Sequence, residues 1–170
     1  MELMQTFREE GLDPHLPVVR RTAVRGIILR DGLLTLVRSR KFGEYKFPGG
    51  GCEAGESQEE TLIREVREET GFSVLPASIE PFGETLEIRL GRFGDAKLEM
   101  RSFYYFCQVA EEQGPQDLDP YERDYGYRPV RISPQEAWRA NVSLADRPGI
   151  PPWNRRETWV LEELCRRFKS

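Results

Sequence analysis

The chain has 170 residues, enough for one core, and its 25 basic against 29 acidic side chains leave a formal charge of −4. That balance lacks the basic excess needed to coat a nucleic acid backbone, so no stable nucleic acid partner is expected, and a small anionic ligand would need positive charge gathered locally. Its apolar runs, such as 26–29, fall far short of the roughly 20 residues that span a bilayer, and MELMQTFREE has no apolar signal core, so no membrane partner and a cytoplasmic location are expected.

Residues 1–17 are polar and mixed, with Pro14 and Pro17 discouraging a helix, and are expected to form an adaptable lead-in to a single domain over 18–170. Beyond them, VVRRTAVRGIILRDGLLTLVRSR sets two β-branched and apolar runs around Asp31-Gly32, the signal for a β-hairpin over about 23–38. KFGEYKFPGGG follows, a glycine- and proline-rich segment that reads as a loop approaching something closely. A helix is predicted next. Ser57 and Glu60 make a capping box at its start, and Gly71 supplies the left-handed closure at its end.

Strands are predicted at 82–90 and 98–109, joined by a turn at 91–94, with Tyr104 and Tyr105 on opposite faces of the second. The stretch EEQGPQDLDPYERDYGYRP reads as a long loop, 128–133 as a short strand, 134–140 as a short helix, and 153–168 as an amphipathic C-terminal helix. Trp153 and Trp159 there suit either the core or a partner surface, so a homodimer is possible. Cys52, Cys107 and Cys165 have no CxxC spacing and read as free thiols. Strands, helix, strands and helix in that order indicate a layered α/β or α+β fold.

The central helix raises a charge question. Leu62, Ile63 and Val66 share one face, while Glu65, Glu68 and Glu69 stand at i, i+3 and i+4, where like charges repel by roughly 0.2–0.5 kcal/mol per pair. Two readings stand. Glu60, Arg64 and Glu68 at spacings of four suit an ion-pair ladder on a solvated face, whereas three carboxylates together suit a hard divalent cation such as magnesium or manganese.

The segment also resembles a named pattern. Gly50, Glu56, Arg64-Glu65, Val66, Glu68-Glu69, Gly71 and Phe72 match the Nudix box in full, so the chain is identified as a member of the Nudix hydrolase family. The resemblance implies an α/β/α sandwich with a mixed sheet flanked by helices. It also implies Mg²⁺ or Mn²⁺ held by Glu65, Glu68, Glu69 and the Gly49 carbonyl, with Arg64 and Glu56 tying the helix to its preceding loop. Gly50 and Gly71 would then be structural supports. The implied activity is hydrolysis of a pyrophosphate bond in a nucleoside diphosphate linked to another moiety; the alternative is an inactive nucleotide-sensing module on the same fold.

Such a polyanionic substrate repels its attacking oxygen unless cations screen it. Glu65, Glu69 and the later Glu122 compete for the role of general base, Glu122 being equally readable as a solvated loop acid. Arg38, Arg40, Lys41 and Lys46 precede the box, and of these Arg38 and Lys46 are taken as phosphate contacts, with Phe47 read either as a stacking surface or as a core residue. The loops at 91–97 and 111–127 are expected to set substrate choice.

Overall fold

The computed structural model describes residues 1–168. Asp31 and Gly32 reverse the chain with φ of 53° and 74°, the two positive values that an Asp-Gly hairpin turn takes. In chain order the elements are β1 (Leu3–Arg8), β2 (Val18–Arg30), β3 (Leu33–Arg38), β4 (Tyr45–Lys46), β5 (Gly49–Gly51) and α1 (Gln58–Thr70). There follow β6 (Phe72–Val74), β7 (Glu80–Leu90), β8 (Lys97–Phe106), β9 (Val109–Gln113), α2 (Pro120–Tyr125), β10 (Arg128–Ile132), α3 (Pro134–Ser143) and α4 (Asn154–Arg167).

The large sheet runs β1-β7-β8-β2-β3-β10, with β4 beside β3 and β5 beside β2. It is mixed: β1 lies parallel to β7 and β2 parallel to β8, while the remaining neighbours are antiparallel. Only Ile28 to Arg30 of β2 pair with β3; Val18 to Ile27 run beside β8 instead, so the hairpin is the tip of a much longer strand.

Side chains alternate across β2, and each face receives its own helices. Val24 and Ile28 meet Leu62 and Val66 of α1 in one core, which Val74 and Cys107 complete. Ile27 faces the other way, into a core with Leu34, Leu36, Phe47, Tyr104 and the α4 residues Val160, Leu161 and Leu164. Helices on both faces of a mixed sheet give the α/β/α layering that the sequence implies.

Four segments differ from expectation, the first being the glycine- and proline-rich stretch read as a loop, which contributes the short strands β4 and β5 to the sheet. The lead-in at 1–17 contributes β1, an edge strand on which Phe7 is buried and packs edge-to-face on Trp159 at 6.2 Å. The aromatic strand near 98–109 ends at Phe106, and β9 pairs with β6 in a separate two-stranded sheet. The acidic loop contains α2, capped by Asp119 and closed at Gly126.

Candidate active site

The rotation of α1 decides where its carboxylates go. Ser57 Oγ accepts from the Glu60 amide at 3.1 Å while Glu60 Oε2 accepts from the Ser57 amide at 2.9 Å, and Gly71 closes the far end with φ 77°. Between these stops Leu62 and Val66 are locked on β2. Glu65 and Glu69 are thereby turned inward, and Glu68 stays near solvent.

The β5 glycines form the opposite wall. Gly49 has φ 146°, and a Cβ there would collide with the backbone of Val24 and Arg25. At Gly50 a Cβ would sit 2.5 Å from both Glu65 carboxylate oxygens, so the loop's lack of side chains is what admits Glu65. The Gly49 carbonyl accepts a hydrogen bond from the Arg25 guanidinium.

Glu69 is fully buried. Its Oε1 accepts from Lys46 Nζ at 2.8 Å, and its Oε2 has no partner among the described residues. Burial outweighs the attraction of Lys46, and with repulsion from Glu122 and Glu65 it pushes the carboxyl up to about 8. Glu65 is also raised by burial, against the pull of Arg64, Lys46 and Arg25. Glu122 is buried beside Glu69 rather than solvated; it accepts from the Asp119 amide at 2.9 Å and the Tyr121 hydroxyl at 3.1 Å.

Arg64 reaches Glu56 through Nε at 2.7 Å and Nη2 at 2.8 Å, a two-pronged contact that holds the Glu56 carboxyl down at about 2. The expected brace is therefore present, but Arg64 also bonds Glu65 at 2.8 Å and Glu68 at 3.2 Å. Glu60 is engaged by the cap, so the ladder is confined to its Arg64–Glu68 half. Among the described residues no group of three acidic, histidine or cysteine side chains is gathered to hold an ion in this arrangement. The donor chemistry nonetheless fits a hard divalent cation: all the oxygens are carboxylate or carbonyl, and Glu69 Oε2 is buried without a partner.

Of the residues assigned to substrate, Lys46 reaches the site and two others do not. Phe47 is fully buried and does not line the cleft: it packs in the core under α4, edge-to-face on Tyr104 at 5.7 Å, while its neighbour Lys46 turns the other way, toward Glu69. Arg38 does not line the cleft either, its guanidinium lying 5.7 Å over the Tyr45 ring. Arg25 was missed. Its signal was present, since a charged residue inside the apolar run of β2 must find an acceptor, and here the acceptor is Gly49.

A cleft of about 600 Å³ opens beside these groups, on the α4 side of the sheet. Lys46, Gly49, Gly50 and Arg25 line it together with Trp153 and Arg156. Acids of α1 thus meet a cleft rich in cations, an arrangement suited to a substrate carrying phosphates.

The match to known proteins agrees with this geometry. The NUDIX domain family model matches residues 19–152. A nucleoside triphosphatase, NudI, of Escherichia coli is 28% identical over 134 residues, covering 75% of this chain and 92% of that one; the same relative from Shigella flexneri matches equally. Among solved structures, a NUDIX hydrolase from Nitrosomonas europaea aligns with TM-score 0.57 and 21% identity over 86% of this chain and 90% of its own. A MutT protein from Bacillus halodurans aligns with TM-score 0.60 and 21% identity over 85% and 81%. With the box, the layered fold and a family match spanning most of its length, the chain belongs to the NUDIX domain family and is a Nudix hydrolase.

Proposed function

We propose that this Nudix hydrolase cleaves a phosphoanhydride in a nucleotide derivative, a nucleoside diphosphate joined to a further group, with a divalent cation. The observation that carries the reading is Glu69, a fully buried carboxylate with one free oxygen, joined through Lys46 to a cationic cleft. Glu65, Glu68, Glu69 and the Gly49 carbonyl would hold Mg²⁺ or Mn²⁺. When bound, such an ion neutralises phosphate charge and lowers the pKa of a water it contacts. Lys46 and Arg25, now bonded to two of those oxygens, are placed to meet the substrate's phosphates. With the helix carboxylates committed to a cation, Glu122 is the acid left to accept the proton of the attacking water.

The second reading, a metal-independent nucleotide-binding module, is favoured by one feature: Arg25, Lys46 and Arg64 already pair with the oxygens an ion would use. Incubation with magnesium and a panel of nucleoside triphosphates, nucleotide sugars and dinucleotides separates the two. Under the hydrolase reading Glu69→Gln lowers turnover by about 10²-fold or more at unchanged circular dichroism. Binding without turnover of any compound, or full activity in Glu69→Gln, decides for the module.

A further inference from the structure

The cleft is not uniformly charged along its length. In its deep half the cations are matched. Arg156, itself buried, bonds Glu157 at 2.8 Å and also bonds Glu87, while Lys46 bonds Glu69. Arg25 lies close enough to Glu157 to hold that carboxyl down, after the nearer Arg156.

In the outer half they are not. Arg21 of β2 and Arg89 of β7 both line the cleft, and neither has a carboxylate partner among the described residues. The strand register places them on one face: Arg21 lies opposite Met100, which lies opposite Glu87, two residues before Arg89 on β7. Glu9, the acid at that edge, accepts the Leu90 amide at 2.8 Å, and Arg20, on the other face of β2, is paired with Glu99 at 3.0 Å. Two positive charges without a carboxylate partner among the described residues therefore stand at the outer end, where Met100 lies between Arg21 and Glu87 across the sheet.

Arg25 lies four positions beyond Arg21, about 13 Å along an extended strand. That gap exceeds the reach of one diphosphate and suits two anionic groups with a sugar or nucleoside between them. A further feature points to a ligand rich in acceptors: the indole N–H of Trp153, which lines the same cleft, is buried without an acceptor among the described residues, as is Nε of Arg25.

We infer that the substrate carries a second anionic group, a phosphomonoester on the sugar beyond the diphosphate, and that Arg21 and Arg89 bind it. This rests on the proposed function for the position of the diphosphate, beside Gly49 and Lys46. Guanidinium groups suit the role because they meet phosphate oxygens with two parallel N–H donors. A substrate with a neutral distal sugar leaves both arginines without a counter-charge.

Matched pairs differing only by that phosphate test the inference: NADP⁺ against NAD⁺, and coenzyme A against its 3′-dephospho form. Calorimetry on the whole protein in EDTA, where nothing is hydrolysed, reads binding alone. In at least one pair the phosphorylated member is expected to bind about 10-fold more tightly, and the gap to close to about 2-fold in Arg21→Ala/Arg89→Ala. Circular dichroism and a melting curve confirm that the doubly substituted protein is folded; should it not be, Arg21→Gln alone, which removes the charge but keeps the aliphatic stem and a polar end, must narrow the gap. Equal affinity within both pairs, no binding of either phosphorylated compound, or a gap that survives substitution overturns the inference. Hydrolysis with magnesium is scored separately. Turnover without an affinity gap leaves the hydrolase reading standing and removes this one, while a gap that closes on substitution without turnover does the reverse.

Discussion

Removing the charge of Glu56 by Glu56→Gln tests whether the α1 site is braced electrostatically. Both oxygens of Glu56 accept from Arg64, at 2.7 and 2.8 Å, and the carboxyl is held at about 2 instead of 4.5. A depression of that size sets a ceiling of about 3.4 kcal/mol. Arg64 is a quarter exposed, and solvent screening reduces the contribution to about 1–2 kcal/mol. Because the folded-state pKa lies below the unfolded one, this stability is fully present above pH 4.5 and is lost as pH falls toward 2. Urea unfolding at pH 7 is expected to show the variant less stable by about that amount, with more than half of the difference gone by about pH 3. A difference that is the same at both pH values would show that shape, and not charge, ties the loop to the helix.

Two other substitutions test the burial assignments. Lys46→Met leaves Glu69 buried without its cation, and thermal melts in EDTA should show a loss of up to about 3–5 kcal/mol above pH 8, smaller at pH 6 where Glu69 takes up a proton. Equal stability at both pH values would mean that the pair contributes nothing. Phe47→Leu should lower stability by about 1–2 kcal/mol and leave KM unchanged, since the ring packs on Tyr104; a raised KM at full stability would return Phe47 to the substrate.

What could be read from the sequence was what is encoded locally. Asp31-Gly32, the Ser57–Glu60 cap and the Gly71 stop specify their own turn and helix ends, and the spacing of Leu62 and Val66 orients the helix. The misreadings share a cause. Alternation says that Lys46 and Phe47 face opposite ways, but only the tertiary packing says that Phe47 is enclosed under α4 while Lys46 reaches Glu69. Arg38 went astray for the same reason. The strand β1 has one buried side chain, Phe7, and so no alternating pattern to find; its pairing is supplied by β7, nearly eighty residues away in sequence. Glu122 reads as one acid among several until the capping box of α2 turns it inward beside Glu69.

The same packing gives the site a property that no motif states. Arg25, Lys46 and Arg64 each bond an oxygen that the Nudix resemblance assigns to a cation: the Gly49 carbonyl, Glu69, and Glu65 with Glu68. Burial raises both Glu65 and Glu69, and these three side chains oppose that shift by bringing positive charge within reach. They also compete with an incoming ion, so metal affinity is the difference between two ways of neutralising the same oxygens. Lys46 and Arg25 line the cleft, and once displaced they would face phosphate with no carboxylate holding them back. Under the proposed function, binding of metal and binding of polyanion would therefore be coupled through Lys46 and Arg25, which leave the metal's oxygens to meet phosphate, and Lys46→Met should make manganese bind more tightly while weakening its dependence on nucleotide.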